Sequence, residues 1–387
     1  MSEVTPSSAV TGRRTLVLVI GMHRSGTSTV AGALGILGAT MPATGLGLSD
    51  DNPKGHFEPK EIVALHDRVL ASAGMHWWDW DKFPDAWYDL PVAQTFVDEL
   101  VAIVRTEFGD APLFVVKDPR TCKLLPLWRR AAAILDLDVV AVLPFRHPDE
   151  VARSLHARDG FPLPNTLMTW LRYVLEAERE SRGMTRVFLR YEDLLADGRS
   201  VMRGVVDALR LPLPHLSEAD FAALGTFVDP DLRRSRAGSG GIDHLHPWLR
   251  DAVTSYARGT AQGPDGTADE PVHVVLDRVH AAFETACAAF VPALHATNKG
   301  FEDAQGRNML IPGLEADRDA ARDMARDANA KLADAQARAA TLEREVAEIA
   351  RLRAELQAKG ELIDRLEHEV RQAPQSESPQ RRWWQRG

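Results

Sequence analysis

This sequence has few cysteines, no long apolar run and no excess of basic charge. Each of these features argues against a class of protein. Only 2 cysteines occur among 387 residues, which argues against a disulfide framework and favours a reducing compartment. No apolar run approaches the length of a membrane span, and the polar N-terminal residues are not followed by the apolar core of a signal peptide. We therefore expect a cytoplasmic protein without a transmembrane segment.

Acidic residues outnumber basic ones. The 55 Asp and Glu residues exceed the 46 Lys and Arg residues and give a formal net charge of -9. Because phosphate backbones require a basic surface, this balance argues against general nucleic-acid binding, although it is compatible with a local basic pocket for a small anion. With 45% hydrophobic and 26% charged residues, the chain is long enough for one sizeable α/β domain and an additional segment.

The lysine of the Walker motif is also missing, from a stretch that otherwise has the form of a phosphate-binding loop. Residues 16–20 are apolar and largely β-branched, which predicts a short buried strand. Gly21 and Gly26 bracket the turn that follows, and a helix is predicted from Ser28 onward. Strand, glycine turn and helix N-terminus together bind anions because backbone N–H groups and the helix dipole face the ligand.

Thr27 stands where the Walker pattern has its lysine, so the cation that an NTPase places at the β- and γ-phosphates is absent. Arg24 puts a cation inside the turn instead. The stretch therefore predicts an anion-binding loop of a different kind. The alternative is an ordinary strand–helix turn with incidental glycines.

Short apolar stretches alternate with helical patterns farther along the chain, and strands are predicted at 113–116, 139–143 and 187–190. This alternation predicts an α/β fold with a parallel, doubly wound sheet flanked by helices. Ligands of such sheets gather at the carboxyl ends of the strands. Two cationic residues follow strands in this way, Lys117 and Arg146.

Arg146 has a companion early in the next predicted helix, Ser154. A guanidinium at a strand end and a hydroxyl on the following helix can converge on one phosphate. Together with the glycine turn, this pair predicts a ligand with two phosphate-like ends.

Aromatic residues are concentrated in a single span of the sequence. The aromatic cluster consists of Trp77, Trp78, Trp80, Phe83, Trp87 and Tyr88. One interpretation is a satellite core beneath a loop. The other is a wall for an acceptor, because tryptophan faces stack well on sugars and lipophilic rings.

From about Glu315, apolar residues recur at seven-residue spacing. One heptad position holds Leu342, Ile349, Leu356, Ile363 and Val370, and the companion position holds Leu352 and Leu366 but also Glu345 and Lys359. This pattern predicts a coiled-coil helix over 315–372, through which the chain would self-associate or bind a partner. The alternative is a solvated single helix.

Both ends of the sequence have the composition of unstructured segments. Residues 1–14 are expected to be flexible, and 373–387 to be a disordered tail. The tail contains Arg381-Arg382-Trp383-Trp384, and the sequence favours a solvated tail over contact with a partner or a membrane surface.

The combination of motifs resembles the sulfotransferases that use 3′-phosphoadenosine 5′-phosphosulfate (PAPS), particularly bacterial members. Residues 21–28 resemble their 5′-phosphosulfate loop, with Arg24 where many members have lysine, and Arg146 and Ser154 match the spacing of their 3′-phosphate motif. Lys117 resembles the lysine of the segment before that motif. The resemblance covers residues 16 to 236 and places a sulfotransferase-like, P-loop-NTPase-like domain at 15–300.

The resemblance implies transfer of a sulfuryl group from PAPS to a hydroxyl of a carbohydrate or glycolipid-like acceptor, in line and without a metal. Arg24 would neutralise charge on the bridging oxygen, with Lys117 as a second cation. The 5′-phosphate would rest on the backbone N–H groups of Ser25, Gly26, Thr27 and Ser28. Arg233 and Arg234 resemble the basic segment that closes over the nucleotide, and a surface basic patch is the alternative.

The base for the acceptor hydroxyl departs from the best-known pattern of the family. Cytosolic members carry a histidine two residues after the lysine, where this sequence has Pro119. Other branches use a glutamate after the phosphosulfate loop, and Glu58 resembles that residue, with His56 as the alternative. Asp118 and Arg120 are candidates for an internal ion pair.

Two rival functions belong to other classes. A degenerate P-loop kinase or nucleotide hydrolase would bind Mg-ATP and would need an aspartate after a strand to hold the metal, for which Asp118 is the candidate. A non-catalytic assembly protein would rely on the coiled coil and retain only a vestigial nucleotide site.

Overall fold

The computed structural model describes residues 13–47, 55–213, 216–228, 241–262 and 271–372, and it describes the side chains of 292–321 in no detail. These residues belong to two compact units, which divide between His295 and Ala296. Arg233 and Arg234 lie outside the described residues, as do nearly all of the N-terminal segment and the whole of the predicted C-terminal tail.

The first unit is built on a parallel sheet of four strands in the order β2-β1-β3-β4. The strands are β1 (Arg14–Val19), β2 (Leu113–Lys117), β3 (Leu137–Phe145) and β4 (Thr185–Arg190). The apolar, β-branched runs are buried because helices cover both faces of a parallel sheet. The predicted parallel α/β sheet is confirmed. β2 begins at the predicted residue, whereas β3 and β4 each begin two residues before the predicted stretch.

The strand order places β1 at the point where the chain changes direction across the sheet. From β1 the chain passes to β2 on one side and then to β3 on the other, and Val19 at the end of β1 lies level with Lys117 and Val142. The crevice beyond such a strand is where ligands bind in open α/β sheets. The loop that follows β1 therefore lies at the expected ligand position.

Eleven helices are described, together with a short 3₁₀ turn at Asp85–Asp89. They are α1 (Thr27–Ile36), α2 (Lys60–Ser72), α3 (Pro91–Phe108), α4 (Thr121–Ile134), α5 (Pro148–Asp159), α6 (Leu163–Glu180), α7 (Tyr191–Ala196), α8 (Gly198–Leu209), α9 (Glu218–Phe227), α10 (Pro247–Gln262) and α11 (Val272–Gln372). Periodicity predicts the inner face of α2 correctly, since Ile62, Leu65, His66, Val69 and Leu70 are its buried residues.

The last helix is longer than the sequence pattern predicts. The sequence predicts a coiled-coil helix only over 315–372, but α11 runs from Val272 to Gln372. Isolated glycines and a proline lower helix stability without necessarily ending a long helix. Among the described residues, no helix combines the length and apolarity that crossing a bilayer requires. The coiled-coil pairing of α11 stays a prediction.

Two helical glycines offer a test of how α10 packs on the sheet. A Cβ added at Gly259 would lie 2.9 Å from Cδ2 and 3.1 Å from Cγ of Phe188, whereas nothing lies within 4 Å of one added at Gly204. Because Phe188 is buried in β4, we expect Gly259→Ala to lower the free energy of unfolding by ~1–3 kcal/mol through overpacking. Gly204→Ala is the matched control and should raise it by ~0.5–1 kcal/mol. The free energy of unfolding of both variants is measured by urea unfolding. Equal changes in the two variants would contradict the close packing of Gly259 on Phe188.

Candidate active site

The loop between β1 and α1 has an unusual backbone. Arg24 and Gly26 both adopt left-handed conformations, with φ of 66° and 86°, and such turns direct successive N–H groups toward one point. Gly26 begins α1 without a side-chain cap from the described residues, and the first turn of α1 carries no acidic residue. A Cβ at Gly26 would lie 2.2 Å from Cδ2 of Tyr191, so only glycine fits. The helix terminus is therefore suited to an anion.

Ser25 carries the clearest sign of a ligand in this loop. Its side chain is fully buried, and Oγ has no hydrogen-bond partner among the described residues. Its own N–H donates to the carbonyl of Met22 at 3.2 Å, which tightens the turn. A buried hydroxyl without a partner costs ~1–3 kcal/mol, so native proteins retain one chiefly where something else satisfies it. An oxygen of a bound anion would do so here.

Lys117 and Glu58 come together at the end of β2. The Nζ of Lys117 donates to Oε1 of Glu58 and, at 3.3 Å, to the carbonyl of His56. The hydroxyl of Ser28 donates to the same carbonyl at 3.2 Å. The backbone at His56 thus links α1 to β2, while its imidazole is half-buried. The structure therefore groups Lys117, Glu58 and His56 beside the N-terminus of α1.

The two anion signals predicted from separate parts of the sequence are contiguous. The Nε of Arg24 donates to Oγ of Ser154 at 2.9 Å, across 130 positions of sequence. Arg146 donates to the carbonyl of Arg24 at 3.3 Å and pairs with Glu150 at 2.7 Å. Its guanidinium also lies 5.1 Å from the centroid of the Tyr191 ring, which contacts Gly26 as well. The loop and the end of β3 thus form one cationic cluster.

Asp118 and Arg120 form the predicted internal ion pair, and other side chains complete it. Oδ1 of Asp118 accepts from Arg120 at 3.0 Å, and Oδ2 lies 2.7 Å from Nδ1 of His66, whose Nε2 accepts from Trp128 at 3.0 Å. Asp67 accepts from Nε of Arg120 at 2.6 Å. These partners hold the pKa of Asp118 below its usual range although burial opposes this. Both carboxylate oxygens are engaged, which disfavours Asp118 as a metal ligand.

Side-chain donors hold the backbone of the aromatic cluster in place. Every carbonyl from residue 77 to 81 accepts from a side chain of α4 or α6: from Tyr173, Thr169, Lys123, Arg172 and again Lys123. Burial lowers the pKa of Lys123 to about 8. Four members of the cluster are buried as in a satellite core, while Trp78 and Trp80 are half-buried. The segment is therefore fixed against α4 and α6.

His23 connects the aromatic cluster to the anion loop, and no sequence argument assigns it a role. Its ring lies 4.6 Å from that of Trp77 and 5.8 Å from that of Tyr173. Burial and the nearby charges of Arg120 and Arg158 hold the pKa of His23 well below its ordinary value, so the imidazole is neutral at pH 7. Its Nε2 has no hydrogen-bond partner among the described residues. Its position next to Arg24 in sequence was the one available signal.

A second cluster of ligand-type side chains lies where α11 packs on α6. Glu176, His280 and Glu284 bring their ligand atoms within 4.8 Å of one another. However, Nη1 of Arg172 donates to both carboxylates and so occupies this cluster. The geometry is that of a buried structural ion pair.

Comparison with solved structures finds sulfotransferase domains. The chain is similar to the sulfotransferase domain of the Synechococcus PCC 7002 olefin synthase (15% identity, 70% of this chain and 96% of that one, TM-score 0.35). It is similar to that of the curacin biosynthetic pathway (14%, 70% and 97%, TM-score 0.34) and to a sulfotransferase from Mycobacterium tuberculosis H37Rv (15%, 56% and 72%, TM-score 0.33). No protein-family profile and no curated protein sequence matches the chain. Such distant likeness carries no assignment by itself.

Replacing Asp118 tests whether its role is structural. Asp118→Asn leaves the buried charge of Arg120 without its main partner, and we expect a loss of ~3–5 kcal/mol in the free energy of unfolding at pH 7. Since folding lowers the pKa of Asp118, its contribution is complete above the unfolded value of about 3.9 and is lost as the pH falls below it. The difference in the free energy of unfolding between wild type and variant should therefore become smaller below about pH 4.

Urea unfolding across this pH range makes the measurement. Asp138→Asn is the control, because Asp138 is an exposed partner of Arg13 and its loss should change stability by less than ~1 kcal/mol. If both variants lose the same free energy of unfolding, the buried network around Asp118 contributes no more to stability than an exposed ion pair.

Proposed function

We propose that this protein is a sulfotransferase that moves a sulfuryl group from PAPS to a hydroxyl of a carbohydrate or glycolipid-like acceptor. The observation that carries the proposal is the buried hydroxyl of Ser25, which has no partner among the described residues, in a cationic loop at a helix terminus that no described side chain caps. The resemblance of the motifs to PAPS-dependent sulfotransferases supports the choice of donor.

The residues at this edge of the sheet fit the two charged ends of the proposed donor. Ser25 and the backbone of residues 26–28 would hold the 5′-phosphosulfate, with Arg24 beside them. Arg146 and Ser154 would hold the 3′-phosphate, and their contacts with Arg24 keep the two positions adjacent. Arginine suits this role because its fork of donors matches phosphate oxygens.

PAPS, when bound, supplies the sulfuryl group, which passes in line to the acceptor oxygen and leaves 3′,5′-ADP. Arg24 and Lys117 stabilise the negative charge that develops toward the leaving phosphate. Glu58 accepts the proton of the acceptor hydroxyl, and Lys117 fixes the position of its carboxylate. The imidazole of His56 is the alternative acceptor of that proton. Neither role requires a metal ion held by the protein.

The aromatic cluster supports the choice of acceptor. Trp77 contacts His23, which precedes Arg24, so the cluster adjoins the loop that would hold the phosphosulfate. Trp78 is half-buried and stacks on the exposed ring of His76 at 4.5 Å. Aromatic faces of this kind bind sugar rings and lipophilic groups.

The kinase or hydrolase alternative is weakened by one observation. It needs an aspartate after a strand with an oxygen open to magnesium. The carboxylate of Asp118 uses both oxygens on His66 and Arg120 instead.

Calorimetry of nucleotide binding tests the proposed donor. We expect the protein to bind 3′,5′-ADP without added metal and to bind Mg-ATP at least about tenfold more weakly, because the loop lacks the lysine that holds a triphosphate. Preferential binding of Mg-ATP, or binding of neither nucleotide, would overturn the sulfotransferase proposal.

Arg146→Ala refines the same measurement. The variant should weaken 3′,5′-ADP binding by about 10- to 100-fold, equivalent to one or two charge-assisted hydrogen bonds, and 5′-AMP binding by less than about threefold. Arg130→Ala is a control on α4, where the arginine donates to the carbonyl of Tyr88, and it should change neither affinity. Equal losses for the two nucleotides would separate Arg146 from the 3′-phosphate.

Glu58→Gln tests the proposed base. The amide can still accept a hydrogen bond from Lys117, so 3′,5′-ADP binding should be retained while sulfuryl transfer falls by about 10²- to 10⁴-fold. Transfer is measured as release of 3′,5′-ADP from PAPS with a panel of glycan acceptors. His56→Gln is the matched variant and should retain transfer; if it loses transfer while Glu58→Gln does not, the imidazole is the base.

A further inference from the structure

The second unit presents an uncovered apolar stripe. Beyond residue 321, seven apolar side chains of α11 at the two heptad positions are between 49% and 76% exposed. They are Leu342, Ile349, Leu352, Leu356, Ile363, Leu366 and Val370. Exposed apolar residues that repeat every seven positions form a continuous seam on one side of a helix, and such a seam is stable when a second helix covers it.

Two charges interrupt this stripe at the companion position. Glu345 precedes Leu352 by one heptad, and Lys359 follows it by one heptad. Both residues therefore face any helix that covers the stripe. Their opposite signs determine which orientation of a second copy the stripe accepts.

A parallel, in-register pair of α11 helices brings like charges together. Each Glu345 would face Glu345 of the second copy, and each Lys359 would face Lys359. Burying like charges against each other is unfavourable. The parallel arrangement gains pairs between Glu348 and Arg353 at the edges of the seam, but such solvated pairs contribute little.

An antiparallel pair resolves the conflict. We propose that α11 pairs antiparallel with α11 of a second copy of this chain, with Leu352 of each helix level with Leu356 of the other. In this register Leu342 is level with Leu366, Glu345 with Ile363, and Ile349 with Lys359. Glu345 and Lys359 of the second copy then lie four residues apart along the axis, ~6 Å, within reach of their long side chains.

The same register aligns residues 342–366 of one helix with residues 366–342 of the other. The stripe from Leu342 to Leu366 is matched along its whole length, and the Glu345–Lys359 contact occurs twice by symmetry. At the two-fold axis Arg353 and Glu355 each approach their own copies. These contacts lie on the solvated edges, where salt screens the repulsion.

Cysteine cross-linking of the full-length chain distinguishes the orientations. Cys122 and Cys287 are buried, so the introduced thiols dominate the reaction. Leu342→Cys combined with Leu366→Cys should form a disulfide-linked dimer under mild oxidation, seen on a non-reducing gel, while neither single variant should. Cross-linking of the single variants would overturn the proposal in favour of a parallel pair, and a wild-type chain that sediments as a monomer would overturn it altogether.

A charge exchange provides the second test. In the antiparallel pair, Glu345→Lys or Lys359→Glu places like charges side by side and should weaken dimerisation by about tenfold, whereas the double exchange should restore it. In a parallel pair each of these residues faces its own copy, so the wild type and the double exchange should dimerise with similar affinity. A second exchange would then not rescue a single variant that had weakened dimerisation. Sedimentation equilibrium of the full-length variants measures the dissociation constants, and loss without rescue would contradict the register. The result is independent of whether the protein transfers sulfuryl groups.

Discussion

Positive charge buried at the carboxyl edge of the sheet is the constraint on which the first unit depends. Lys117, Arg120 and Arg146 are each more than nine-tenths buried, and each has an acidic partner. A buried charge without such a partner would cost several kcal/mol. Glu58 lies before α2, Asp118 follows β2 and Glu150 lies in α5, and Asp67 of α2 is a second partner of Arg120. Satisfying these charges therefore also fixes the elements that surround the loop after β1.

The pairing of these cations leaves a recognisable exception. The hydroxyl of Ser25 is buried in the same region but has no partner among the described residues. Its loop offers N–H groups at a helix terminus, and Arg24 reaches from it to Ser154. A buried hydroxyl without a partner among the described residues, beside clustered cations, is well suited to an anionic ligand. Arg24 supplies a cation within the turn, where the sequence lacks the Walker lysine.

The two units are stabilised in different ways. The first unit buries apolar strands and helices around the sheet, and its ion pairs lie at one edge. The second unit is part of a single helix whose apolar residues are exposed, so covering them requires another surface. Propensity and ion pairs along the helix, such as that of Lys331 with Asp327, contribute only tenths of a kcal/mol each. Association can therefore stabilise this part of the chain more than any contact within it.

Local sequence was sufficient for features that depend on local physics. Runs of β-branched residues predict the strands, period 3.6 predicts the buried face of α2, and the glycines predict a tight turn after β1, because each follows from backbone sterics and burial of one face. Anion binding by that turn stays a prediction. The sequence does not predict that α11 is continuous from Val272 to Gln372. Glycine and proline lower helix stability locally, but they do not show whether the helix continues on either side.

Only the tertiary structure decided which side chains meet. The strand order places the ends of β1, β2 and β3 together, which joins Arg24 to Ser154 and Lys117 to Glu58 across more than fifty positions of sequence. It also places His23 against the aromatic cluster. No local pattern encodes such contacts, because they depend on how distant elements pack and on the need to pair each buried charge. The turn after β1 can be predicted from the sequence, but the side chains that surround it cannot.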